Sequence, residues 1–176
     1  MIVEPTRNGG GSRIVDDNFT TIADGEPLVA SGAVIVTLKR FLAEKPALLA
    51  RRDPLGVQLE TAESPEPLGP DLPKLALVVL HVPYFKDGRA YSWARLLRTR
   101  LGYKGKIRAS GHILKDQLAF YIRVGVDEFD LRQNLSMTDV DAALHEIANV
   151  YQPSVDGRTT IRDLRASHAP KQALSP

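Results

Sequence analysis

Residues 75–82 read Leu, Ala, Leu, Val, Val, Leu, His, Val, and a stretch this continuously apolar commits the chain to burying a strand. Strands covered on both faces read this way, which is the setting of a central strand in a parallel sheet. The sequence after it alternates regularly. A helix is expected over about residues 89–101, a strand over 106–109, a helix over about 113–124, a strand over 127–131 and a closing helix over about 138–149. Gly102 and Gly125 follow the first two helices, where glycine relieves the left-handed conformation at a helix end.

Upstream, residues 33–36 make a small apolar strand, and Thr37 can cap a helix carrying Leu38, Phe41 and Leu42 at helical spacing. Pro46 then interrupts. Proline is tolerated in a first helical turn and not inside one, so two short helical pieces are expected, the second over residues 47–51. A strand over 55–59 leads into a connection rich in proline (Pro65, Pro67, Pro70, Pro73) with room for one helical turn. The runs 13–15 and 19–22, split by Asp16, Asp17 and Asn18, read as a hairpin or as edge strands.

Residues 1–11, with Asn8 and three glycines in a row, read as a flexible N-terminus, and 152–176 as a polar, disordered tail. Residues 12–151 remain as a single α/β domain. Strands alternating with helices of ten or more residues argue for βαβ units with right-handed crossovers. The expected fold is α/β: a mostly parallel sheet of four or five strands, open or partial-barrel-like, with an N-terminal hairpin and a flexible C-terminal tail. That is too few strands for a closed eight-stranded barrel.

Composition enters as a set of exclusions. No cysteine is present, so the chain can form no disulfide and offers no thiolate nucleophile, thiol redox couple or cysteine-held iron–sulfur cluster. No apolar run approaches the roughly 20 residues that cross a bilayer, and residues 1–13 lack the hydrophobic stretch of a signal peptide. A cytoplasmic protein without membrane contact is expected. The formal charge of +2 is concentrated in the last 25 residues, where Arg158, Arg162, Arg165 and Lys171 outnumber Asp156 and Asp163. The body is neutral, which argues against a nucleic-acid partner.

In parallel α/β sheets ligands bind beyond the carboxyl ends of the strands, where loops and helix N-termini converge. That rule gathers His81, the loop holding Asp87, Gly88 and Arg89, then Arg108, Ser110 and His112, and finally Arg132. Three guanidiniums on such a rim would suit a small anion, since the arginine fork matches carboxylate, phosphate or a sulfur oxyanion. The plainer alternative is that Arg89 or Arg108 pairs with Asp87, Asp116 or Asp127 to order the loops, and that His81 and His112 serve as structural hydrogen-bonding groups. Arg95 and Arg98 read as a solvated basic face, and Trp93 with Tyr91 as either core or an interface anchor. No two histidines have ligand spacing, so no metal site is expected, and with no phosphate loop, dinucleotide fingerprint or nucleophile elbow, no cofactor is evident.

Read as a string, DGRAYSWARLLRTRLGYKGKIRASGHILKDQ followed by VGVDEFDL resembles the domain-of-unknown-function family number nine hundred thirty-four. The likeness is close over residues 75–131 and extends over 34–60 and 142–152. Its recurring block takes in Tyr91, Ser92 and Arg95, then Asp116 and Gln117. Members carry an oxidoreductase label and are encoded beside assimilatory sulfite reductase, so the resemblance implies a part in making sulfide from sulfate for cysteine synthesis. The family pattern favours aspartate where this chain has His81 and His112, and it transfers no acid–base role to either. An accessory or regulatory partner of sulfite reductase, or of its electron-donor protein, is the expectation. A small enzyme or sensor of an anionic metabolite, and a purely structural partner, are the alternatives.

Overall fold

The computed structural model describes residues 1–6, 11–131 and 135–168. Its strands are β1 (Ile2–Pro5), β2 (Ser12–Val15), β3 (Phe19–Thr21), β4 (Ala33–Thr37), β5 (Leu55–Glu60), β6 (Leu77–Val82), β7 (Lys106–Gly111) and β8 (Glu128–Leu131). The helices are α1 (Leu38–Leu49), α2 (Arg89–Thr99), α3 (Leu118–Arg123), α4 (Met137–His145) and α5 (Ile161–His168), with 3-10 turns at Glu66–Lys74 and Lys115–Gln117. Among the described residues no helix is long and apolar enough to cross a membrane.

All eight strands join one curled, half-barrel sheet in the order β2-β1-β8-β7-β6-β5-β4-β3. The run from β3 to β8 is parallel, six strands rather than four or five, and β1 and β2 extend it antiparallel. The additional strands come from the ends of the expectation. Ile2 and Val3 are buried against β8, so a segment read as flexible N-terminus supplies a strand. The β-prone runs 13–15 and 19–22 do not pair with each other as a hairpin. They are the opposite edges of the sheet, and the hairpin is β1 with β2.

The strands are covered on one face. Val34, Val36, Val57, Leu59, Val78, Leu80, Ile107, Ala109 and Phe129 form a single buried cluster with Phe41, Leu68, Ala94, Leu97, Tyr121 and Val140 from the helical layer. On the other face Ile35, Leu77 and Val79 make a small cluster topped by Phe19. This corrects the two-layer cover expected for residues 75–82. Leu77 and Val79 are dry because the curl brings Phe19 over them, not because a helix does.

Local signals act as their chemistry requires. Thr37 Oγ1 accepts from Arg40 N at 3.1 Å and caps α1. As expected, α1 is two helical pieces: Glu44, with a non-helical φ of −109° and ψ of 16°, forms a kink between them. Pro46 falls in the first turn of the second piece, which ends at Leu49 rather than at residue 51. That kink relieves the crowding a proline ring creates on the preceding turn. Gly102 and Gly125 take φ of 65° and 101° after α2 and α3.

The segment expected to be tail is largely built. Val150 and Thr160 form a parallel bridge and both are buried. Thr160 and Asp163 exchange hydrogen bonds at the start of α5, in the manner of a capping box. Val155 N and Ser154 Oγ both donate to Arg123 O at the end of α3, which fastens the segment to the domain. Residues 169–176 lie outside the described residues.

Candidate functional site

Parallel register puts side chains of equal strand depth on the same face, so the carboxyl ends of β5 to β8 present Glu60, His81, Ser110 and Asp130 in one row on the helix-free face. Neighbours in such a row are about 4.8 Å apart along the sheet. His81 Nδ1 lies 3.2 Å from Ser110 Oγ, with Ser110 buried and His81 half-buried. At the ends of the row Gln58 Nε2 donates to Glu60 Oε1 at 3.1 Å, and the amino group of Met1 donates to Asp130 at 3.5 Å. A histidine beside a hydroxyl can donate or accept, so this row can hold a polar group and shuttle a proton at its edge.

Two loops frame the row. In the first, Arg89 grips Asp87 with Nε at 3.0 Å and Nη2 at 2.6 Å, and its backbone N–H also donates to Asp87 Oδ1. The Arg89 pair, helped by the Thr61 hydroxyl, holds the Asp87 carboxyl well below the usual carboxylate range. In the second, Gln117 Oε1 accepts from Leu114 N at 3.1 Å, while its Nε2 reaches across to Phe85 O at 2.8 Å. Phe85 meets His112 edge to face, with ring centres 5.2 Å apart. The loops are thus tied to each other and to β5, yet Tyr84 is 72% exposed and Phe85 36%.

Glycine is obligatory at the turn between row and loop. Gly111 has φ of 97°, and a Cβ there would fall 2.3 Å from Val82 O. The same carbonyl accepts the His112 N–H at 2.7 Å.

Of the residues expected on one rim, His81, Ser110, His112, Asp87, Gly88 and Arg89 sit at or beside the carboxyl ends of β6 and β7. Arg108 does not. It lies nearer the amino end of β7, 5% exposed, bonded to Glu128 Oε1 at 2.8 Å and to both oxygens of Asp17 at 3.0 Å. Burial opposes its charge, but the two carboxylates prevail and push the guanidinium up from its ordinary value. Arg89 and Arg108 therefore both already meet carboxylates. Arg132 lies outside the described residues.

The motif residues divide between core and surface. Tyr91 stacks on Tyr121 with ring centres 4.0 Å apart, and burial pushes its hydroxyl up to about 12. Trp93 Nε1 donates to Thr61 O at 3.1 Å, so both aromatics of α2 are turned inward. Ser92, Arg95 and Asp116 are exposed. Arg98, read as part of a solvated face, instead bonds Gly125 O, Tyr103 O, Gly105 O and Asp127. Among the described residues no group of three His, Asp or Glu converges as metal ligands would.

Glu60 and Asp130 were missed by sequence reasoning. Their signal is a polar residue at every second position near a strand's end: Gln58 and Glu60, Arg108 and Ser110, Glu128 and Asp130. That alternation marks one face of β5, β7 and β8 as polar.

Residues 56–162 match the family model described as bacterial protein of unknown function, DUF934, a span running from β5 into α5. No curated protein and no solved structure matches the chain.

Proposed function

We propose that this chain, which belongs to the DUF934 family of bacterial proteins of unknown function, works as a cytoplasmic accessory to assimilatory sulfite reduction. It would dock onto sulfite reductase or its electron-donor protein through the carboxyl rim. The pathway follows from the gene neighbourhood that the resemblance implies. The docking surface follows from one observation: Tyr84 and Phe85 are exposed on a loop that Gln117, Asp87 and Arg89 hold in place. Fixed, exposed aromatics lose little conformational entropy on association and can bury much area. A chain without cysteine also needs another protein for any thiol or iron–sulfur chemistry in that pathway.

Deleting the gene should impair growth on sulfate or sulfite while cysteine restores it, and Tyr84→Ser with Phe85→Ser should reproduce the defect in a protein that still folds. Equal growth on all three sulfur sources would remove the pathway. A growth defect that the double variant fully rescues would remove the surface.

The His81 and Ser110 pair favours a second reading, a small enzyme or sensor that takes an anionic metabolite at the row. In that case His81→Ala and Ser110→Ala, rather than the aromatic substitutions, would carry the phenotype.

A further inference from the structure

At the other end of the sheet, below the amino ends of β7 and β8, a cavity of about 700 Å³ opens between the last turns of α3 and α4 and the segment that precedes α5. This is within the size range of small-molecule sites. Its floor is apolar: Ala119 and Ile122 from α3, Val126, Leu144 from α4, and Val155. Its margin is basic, since Arg98, Lys104, Arg123 and Arg158 line it against only Asp127 and Asp156. Two helix carboxyl ends each contribute about half a negative charge, which leaves the margin positive.

One side chain in this wall is left with an unfilled demand. The Asp156 side chain is 6% exposed, and its Oδ2 has no hydrogen-bond partner among the described residues. Arg123 Nε stands 3.9 Å away, too far to donate. Oδ1 is served by the Arg158 backbone N–H at 3.3 Å. A buried carboxylate oxygen without a donor costs free energy, and an N–H or O–H brought by a ligand would relieve that cost.

From the cavity, its basic margin and this orphaned acceptor, we infer that the amino end of the sheet binds a small organic anion with an apolar body and a hydrogen-bond donor. The apolar body fills the floor, the donor meets Asp156, and the anionic group meets Lys104 and Arg158. The segment holding Val155, Asp156 and Arg158 is thereby part of a binding wall. The inference is independent of the rim and of sulfite reduction.

8-Anilinonaphthalene-1-sulfonate has this chemistry, with an aromatic body, one sulfonate and one N–H, and serves as the probe. Titrated into the native full-length protein, it should saturate at one equivalent and raise the melting temperature. Amide shifts on binding should cluster at residues 119–126 and 144–158. Ala119→Trp, which fills the floor, and Lys104→Glu with Arg158→Ala, which reverse the margin, should each weaken binding at least tenfold, while His81→Ala changes it less than twofold. The inference is overturned if no saturable site exists, or if the probe's amide shifts fall elsewhere in the native protein. It is also overturned if folded Ala119→Trp protein binds as tightly as the parent. The shift map needs no variant, so a misfolded substitution does not blunt the test.

Discussion

Arg98 on α2 and Asp127 at the entry to β8 form an ion pair that also closes the amino end of the sheet, because each partner holds backbone as well. Arg98 donates to Tyr103 O and Gly105 O at 2.8 Å and to Gly125 O at 3.0 Å, and Asp127 Oδ2 accepts from Ile107 N at 2.8 Å. Two loops and the starts of two strands are therefore fastened by two side chains.

Arg98→Ala should destabilise the domain by about 3 kcal/mol, within the range for breaking a largely buried ion pair and leaving its acceptors bare. Urea denaturation monitored by circular dichroism measures this. A loss under about 1 kcal/mol would place Arg98 on the solvated face that its neighbour Arg95 occupies.

Arg108 and Glu128 test the same physics on the helix-free face, where they are 5% and 2% exposed. Glu128→Ala should cost about 3 to 5 kcal/mol, since it leaves a guanidinium buried with only Asp17. Replacing both by leucine should cost less than Glu128→Ala alone, because the charges then left without this pair, Asp17 and Lys106, are partly exposed and no buried charge is stranded. A double variant weaker than the single would show that the pair contributes net stability.

Gly111→Ala combines a left-handed backbone with a contact of 2.3 Å to Val82 O, and the carbonyl cannot swing away without releasing His112 N. A loss of about 2 kcal/mol or more follows. In a chain this size that is roughly 4 to 8 °C of melting temperature, read by calorimetry. Gly157→Ala offers the control: it has φ of 69° but nothing within 4 Å of the added carbon, so it should cost markedly less.

Alkaline stability is governed by buried phenols. Burial raises Tyr91 from 10.0 to about 12, and Tyr103 and Tyr121 are raised further by the same cause. A group whose folded value is raised contributes its full stability below the unfolded value and loses it as pH climbs toward the folded one. Stability should thus hold up to about pH 10 and fall between pH 10 and 12. Tyr91→Phe should flatten that fall, and urea melts at pH 9, 10 and 11 measure it. Parallel slopes for parent and variant would mean that Tyr91 ionises freely in the native state.

What the residues reveal alone is what depends on near neighbours. The cap at Thr37, the left-handed stops at Gly102 and Gly125, and the apolar period of α2 and β6 each involve groups within a few positions of one another. Each could be read without knowing where the rest of the chain lies. The loops after β6 and β7 were legible for the same reason, because each loop follows its own strand.

The tertiary structure decided everything that depends on pairing between distant segments. Asp17 and Arg108 are 91 positions apart, and nothing local to either shows that the curl of the sheet brings them within 3.0 Å. Glu60, His81, Ser110 and Asp130 become a row only through strand register, which is set by the packing of whole apolar faces rather than by any one residue. Burial at Ile2 and Val3, and the anchoring of the segment before α5, likewise required a partner surface that the rest of the fold supplies. Short-range chemistry writes the elements into the sequence, while long-range hydrophobic packing chooses which of them meet.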